Sequence, residues 1–374
     1  MRRGKIGLAT TICENPFPPT PPLNTHSEIQ NSIMQVSDLS IPDPAIVLDL
    51  LEAFRRSKTM FAAVELGVFD VLKTPKALGD LAIELHCDRT ALMTLLDSCV
   101  AFGLLSRSED RYTNTPVAET YLTQDSPRRM TGYIHYSNRV MWKMWGNLED
   151  AVREGSNRWK QTFDFDGPIF SHFFRTDEAM QEFLMGMHGF GMITSPHVVN
   201  AFDLSRFKVM ADLGGATGHL AIAACQRYSQ LRGIVFDLPH ALDLANSMVA
   251  RSGISTRIEV LGGDFFNDDL PKADLYALGR IVHDWSEPKI QILLRRIFEA
   301  LPSGGGLLIG EKILWEDRTG PRWALMQSLN MIVCTEGRER TLSEYAALLQ
   351  DVGFHSVDGF RTSVPLDAIL AIKS

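Results

Sequence analysis

Apolar residues change their period twice along this chain, and the changes mark out its organisation. Residues 14–42 carry no apolar period and are rich in Pro, Asn, Ser and Thr, so residues 1–42 are expected to be a flexible leader. From Pro44 a helical spacing sets in, with Ile46, Leu48, Leu50, Leu51 and Phe54 followed by Met60, Phe61, Ala63, Val64, Leu66, Phe69 and Leu72. Gly67 is placed to end one helix, and Val68-Phe69-Asp70 to begin the next. Short amphipathic helices are expected over 77–85 and 89–105, around Cys87-Asp88, and a polar hairpin over Ser106–Thr113. Helix, turn, helix and hairpin in that order predict a mostly helical winged-helix domain over 43–125. A helical connector over 126–200 carries Trp142, Trp145, Trp159 and a Met-rich run from Met185 to Met192.

The second change comes at Val209. Short apolar runs at Val209–Ala211, Gly233–Phe236, Ile258–Val260, Leu275–Leu278 and Gly306–Ile309 alternate with helical segments near 218–227, 240–252, 287–300 and 341–352. Such alternation predicts an α/β domain over 201–374, a Rossmann-like doubly wound parallel sheet.

Composition narrows the function classes. At 374 residues the chain has room for two cores. A net charge of −8 argues against nucleic acid or an anionic membrane held by bulk electrostatics. No run of about 18 apolar residues is present, so no membrane span is expected. The five cysteines (Cys13, Cys87, Cys99, Cys225 and Cys334) are scattered without metal spacing, which points to buried thiols in a reducing compartment and to no metal site. The start, Met1-Arg2-Arg3-Gly4-Lys5 and then Ile6 to Cys13, imitates a signal peptide, but Thr10 and Thr11 interrupt it and no cleavage site precedes Pro16. The chain is read as cytoplasmic.

The candidate chemistry lies at the carboxyl ends of the expected strands. Asp212-Leu213-Gly214-Gly215-Ala216-Thr217-Gly218 is a glycine-rich turn between a strand and a helix, where backbone N–H groups approach a ligand. Asp237, about 23 residues beyond Gly214 at the tip of the next strand, suits ribose hydroxyls. Gly263-Asp264-Phe265-Phe266 offers a further acid, and aromatics suited to an adenine edge and face. This spacing fits a dinucleotide or S-adenosylmethionine. His283 follows the fourth strand into the same crevice, and Glu311 and Glu339 could join it. A carboxylate accepting from one imidazole nitrogen leaves the other to take a proton, as methylation of a hydroxyl requires and hydride transfer does not.

Six segments carry a resemblance: Asp212–Gly215, Phe236–Pro239, Gly263–Phe266, Arg280–Trp285, Ser328–Met331 and Thr335–Thr341. In these the chain, from about Ile41 to its C-terminus, resembles the S-adenosylmethionine-dependent O-methyltransferases of the caffeate/acetylserotonin type. The resemblance implies a class I methyltransferase fold, S-adenosyl-L-methionine as cofactor, and a homodimer formed through the winged-helix domain. It implies His283 as general base flanked by Glu311 and Glu339, and cofactor contacts from Gly214, Asp237, Asp264 and Arg280, to which Asp212, Gly215, Leu238 and Phe265 are added from the same segments. The expected acceptor pocket comprises Met187, His188, Asp284, Asn330 and Cys334. Two departures stand out. Ala216 occupies a position where the family has Gly, and Cys334 replaces the Gln of the acetylserotonin branch, which weakens the case for acetylserotonin itself. The expected reaction is methyl transfer to a phenolic or indolic hydroxyl. The alternatives are a catalytically silent cofactor binder and a non-aromatic hydroxyl acceptor such as a carotenoid or polyketide. A DNA-binding regulator fits poorly, because residues 89–105 carry one basic residue, Arg89, against Asp97.

Overall fold

From Met60 onward the apolar periods read above become elements with one face turned to a core. The computed structural model describes residues 42–167 and 176–374. The predicted leader as far as Ile41, and Cys13 within it, lies outside the described residues; Pro42 is exposed. Packing divides the chain between Leu50 and Leu51: the described part of the first unit is 42–50, and the second unit is 51–374.

The N-terminal elements are helix α1 (Ala45–Glu65), strand β1 (Lys76–Ala77), helix α2 (Leu78–Glu84), helix α3 (Arg89–Ala101), and strands β2 (Leu105–Ser108) and β3 (Arg111–Asn114). Asp88 caps α3 by accepting the Ala91 N–H at 2.8 Å. The helix expected over 89–105 stops at Ala101, because Gly103 takes a left-handed φ of 71° and turns the chain into β2. Strands β2 and β3 form the expected hairpin, and β1 adds a third antiparallel strand that two residues could not announce in sequence. Leu72, Leu81, Leu92, Leu96, Leu105 and Tyr112 are buried together in its core. Each such leucine contributes about 1.5–3 kcal/mol relative to exposure.

Helix α4 (Asp177–Asn200) leads into the sheet domain. There follow β4 (Val209–Leu213), α5 (His219–Arg227), β5 (Arg232–Asp237), α6 (Leu242–Arg251), β6 (Ile258–Gly262), β7 (Leu275–Gly279), α7 (Glu287–Ala300), β8 (Gly306–Glu311), α8 (Arg322–Cys334), α9 (Leu342–Asp351), β9 (Ser356–Phe360) and β10 (Asp367–Ile372). The seven strands run in the order β6-β5-β4-β7-β8-β10-β9. Strands β4 to β8 are parallel, as expected, whereas β10 pairs antiparallel with both β8 and β9, so the sheet is mixed. Its faces are buried under different helices: α7 and α9 on one side, with Leu293, Ile297 and Tyr345; α4, α5 and α6 on the other, with Val198, Leu220 and Val249. Strand order reverses between β4 and β7, and that is where a crevice opens beyond the carboxyl ends. No helix among the described residues is long and apolar enough to cross a membrane.

Candidate active site

The glycine-rich turn after β4 is shaped by left-handed backbone. Gly214 has φ 68°, and a Cβ there would lie 2.5 Å from Ile281 Cδ1, so no side chain fits. Ala216 also takes a positive φ, 49°, so its methyl is borne at some cost in backbone strain. The conformation is held by Asp237, whose Oδ2 accepts the Ala216 N–H at 2.7 Å while Oδ1 accepts the Leu238 N–H at 2.7 Å. A carboxylate offers about four lone-pair sites, so Asp237 retains capacity for hydroxyls. Burial raises its pKa above the usual carboxylate range, against the two backbone N–H groups that lower it. Asp212 sits beneath the turn, 2% exposed, with Oδ2 near the Ala221 N–H at 3.3 Å; burial pushes its carboxyl up to about 7.

At the tip of β6, Asp264 folds an Asx turn: its Oδ1 accepts the Phe266 N–H at 2.8 Å and its Oδ2 the Asn267 amide at 2.6 Å. Phe265 and Phe266 meet Trp285 edge-on, with ring centroids 6.5 and 5.0 Å apart. Arg280 leaves β7 with φ 60°, donates its N–H to Gly310 O at 3.0 Å, and stacks its guanidinium over Phe190 at 4.5 Å. Its Nη1 is buried with no hydrogen-bond partner among the described residues. An orphaned guanidinium N–H, a carboxylate with spare lone pairs and the start of α5 suit a ligand that carries both ribose hydroxyls and a carboxylate, as the expected cofactor does.

His283 lies on the short turn Val282–Asp284 that follows, 2% exposed. Glu311 ends β8, the neighbour of β7, and its Oε1 accepts the N–H groups of Val282 and His283 at 2.9 and 3.3 Å. Glu339 arrives from the opposite side. The Thr341–Glu344 capping box starts α9 and anchors the preceding residues, and the Glu339 N–H reaches Ser328 Oγ at 3.3 Å. Gly337 lets this segment approach: an added Cβ would stand 2.2 Å from the His283 carbonyl oxygen. As a result, His283 Nδ1 donates to Glu339 Oε1 at 2.6 Å, and Glu311 Oε2 lies 3.0 Å from the same nitrogen. Nε2 is 3.7 Å from Asp284 Oδ1. Burial by itself would lower the imidazolium pKa, but Glu311, Glu339 and Asp284 outweigh it and push His283 up to about 9. Burial likewise raises Asp284, to about 6. The donor atoms of His283, Glu311 and Glu339 lie within 4.8 Å of one another, a grouping compact enough for a cation, although Nδ1 is already committed to the carboxylates.

A cavity of about 460 Å³ runs through the crevice. Of the expected residues, Gly214, Asp237, Leu238, Asp264, Phe265, Arg280, His283, Asp284, Met187, Asn330 and Cys334 line it. Asp212, Gly215, Glu311 and Glu339 stand behind the lining. His188 also lies outside the lining, its Nδ1 paired with Thr217 Oγ1 at 2.9 Å, and burial lowers its pKa to about 4. The Met-rich run does reach the lining, through Met187 and Phe190; sequence reasoning missed Tyr133, Tyr136 and Phe183, which supply much of the aromatic wall, and His219, whose Nδ1 pairs with Ser195 Oγ at 2.8 Å. The aromatics at 133 and 136 and at 183 and 190 do recur at helical spacing; the Ser195–His219 pair left no signal in sequence.

Comparison with known proteins gives two family matches: an O-methyltransferase domain over residues 145–355 and an O-methyltransferase dimerisation domain over residues 48–124. The chain is 39% identical to bovine acetylserotonin O-methyltransferase over 88% of its own length and 97% of that protein. It is 40% identical to a human probable bifunctional dTTP/UTP pyrophosphatase/methyltransferase protein, over 89% of this chain; there it spans about half of the relative, 54%. The crystal structure of human N-acetylserotonin methyltransferase in complex with S-adenosylmethionine matches with a TM-score of 0.84 at 37% identity, covering 90% of this chain and 99% of that one.

Proposed function

We infer, from the premise that this chain belongs to the S-adenosylmethionine-dependent O-methyltransferases, which acceptor it takes and which residues act on it. The enzyme transfers a methyl group from S-adenosylmethionine to a hydroxyl of a small molecule. Our reading is that the acceptor is a phenol or hydroxyindole, with His283 as its general base. The observation that carries this reading is the buried imidazole, held at Nδ1 by two carboxylates, in the wall of a cavity lined by aromatic and methionine side chains.

The bound cofactor supplies a methyl group on a positively charged sulfur. Asp237 and Asp264 would hold its ribose and adenine end, Phe265 would offer its ring to the base, and Arg280 would take its carboxylate. Deprotonated His283 accepts the hydroxyl proton at Nε2, while Glu339 fixes the tautomer and Glu311 stabilises the imidazolium that results. Asp284, Met187, Asn330 and Cys334 orient the ring. His188 supports the glycine-rich turn through Thr217. Residues 43–125 pair with a second copy of the chain: Leu51 and Phe54 on α1 are 61% and 55% exposed, an apolar surface suited to cover by a like surface. The described residues of 126–200 close the acceptor pocket, and residues 201–374 hold the cofactor. The enzyme works in the cytoplasm, apart from membranes and nucleic acid.

The deciding experiment supplies labelled S-adenosylmethionine with a panel of hydroxylated aromatics, N-acetylserotonin among them, to the wild type and to His283→Ala. Label on a phenol that is lost in the variant is the expected result. Transfer only to aliphatic or polyene hydroxyls would overturn the acceptor class, and cofactor binding without any transfer would indicate a silent relative.

A further inference from the structure

A second cavity of about 210 Å³ adjoins the acceptor cavity, and the two share Tyr133 and Asn330 as a partition. Trp145 lines the second cavity, and its indole Nε1 donates to Asn330 Oδ1 at 2.8 Å. An indole N–H only donates. The contact therefore decides the orientation of the carboxamide: its oxygen turns to Trp145 and its NH₂ to the other side, where Nδ2 donates one N–H to Cys334 Sγ at 3.5 Å and keeps the second. The thiol donates its S–H to the Asn330 backbone carbonyl at 3.0 Å, and burial raises its pKa well above the usual thiol range, so it stays neutral and only a weak acceptor for the amide. The same lining holds Met187, Phe183 and Met331, which bring no strong donor or acceptor, beside the polar Tyr136 and Asp284. Asn330 thus faces the acceptor cavity as a donor.

We propose that Trp145 is a positioning residue that holds Asn330 as a hydrogen-bond donor, so that the site selects aromatic acceptors bearing an oxygen lone pair besides the hydroxyl to be methylated. The proposal rests on reading the larger cavity as the acceptor site. An acceptor without that oxygen buries the amide N–H unpaired, which costs it about tenfold to a hundredfold in affinity. Truncating the indole N–H frees the amide to rotate and present its oxygen, which blurs the selection without emptying the wall.

The test uses a matched pair of probes, 4-hydroxyacetophenone and 4-ethylphenol, which differ in one carbonyl oxygen. Their affinities are measured calorimetrically on the full-length protein with S-adenosylhomocysteine present, and kcat and KM are measured for each. Wild type is expected to bind the ketone at least about tenfold more tightly. In Trp145→Phe that ratio should collapse, with KM for the ketone rising more than kcat falls and KM for 4-ethylphenol little changed. A ratio that survives in Trp145→Phe, or is absent from wild type, overturns the proposal. Should Trp145→Phe not fold, Asn330→Asp decides: the indole would hold one carboxylate oxygen and leave the other as an acceptor, so the ketone preference should vanish, and its persistence would sink the idea. The binding ratio is read without turnover. Failure to methylate any aromatic would therefore reject the acceptor class, whereas methylation that ignores the second oxygen would reject only the role of Trp145 and Asn330.

Discussion

Changing the pH tests the base assignment directly, because His283 acts only when neutral and the surrounding carboxylates disfavour that form. Its pKa is pushed from 6.5 to about 9 by Glu311, Glu339 and Asp284, against the opposing effect of burial. At pH 7 about 1% of such an imidazole is neutral and at pH 9 about half, so kcat/KM should rise roughly fiftyfold across that window, most steeply near pH 7, before levelling. Replacing Glu339, whose oxygen is 2.6 Å from Nδ1, removes one of the charges that stabilise the imidazolium. In Glu339→Gln the rise should move to lower pH, while the plateau falls because the tautomer is held less firmly. His283→Ala should lower turnover by about two to four orders of magnitude and abolish the pH dependence, leaving cofactor affinity nearly intact. The assay is initial-rate methyl transfer from pH 6.5 to 9.5, with calorimetric cofactor binding at each pH. A wild-type profile that is flat over this range, or the same rise in His283→Ala, would refute the reasoning.

Four further outcomes follow from the geometry. Asp237→Ala should weaken cofactor binding by about tenfold or more, since ribose hydroxyls lose a charged acceptor, and titration calorimetry reads this before any loss of kcat; unchanged affinity would remove the ribose role. Dialysis against a chelator should leave activity unchanged, and a loss restored by a divalent cation would place an ion among His283, Glu311 and Glu339. Asp212, raised from 3.8 to about 7 by burial, contributes stability that is present at low pH and lost as pH rises through about 7. Asp212→Asn should therefore flatten the fall of the melting temperature between about pH 4 and pH 7, and an unaltered slope would assign that fall elsewhere. Leu51→Glu with Phe54→Glu should shift light-scattering mass from dimer to monomer; a persistent dimer would move the interface off α1.

Much is legible in local pattern. Five of the seven strands of the large sheet, the winged-helix order and the position of His283 at the end of β7 all follow from periodicity and loop residues, because the spacing of apolar positions states which face of an element is buried. Helix α8 is not legible in this way. Its segment Arg322–Cys334 mixes apolar and polar residues without a clean face, since it borders a cavity on one side and packing on the other. Strands β9 and β10 escape because an antiparallel pair after a helix breaks the alternation that announces the others.

The chain alone determined most of the elements, the glycine-rich turn and the residue types that could bind or abstract a proton, since each of these is set by neighbours within a few positions. Tertiary structure decided what those residues do together. Glu311 and Glu339 reach one imidazole nitrogen only because β8 lies beside β7 and the capped start of α9 folds back over His283, 56 residues from Glu339 in sequence. Trp145 meets Asn330 across 185 residues. Period and spacing record that a side chain is buried, but its partner is chosen by how whole layers pack. That is why the wall of Tyr133, Tyr136 and Phe183, and the donor held by Trp145, appear only in the folded protein.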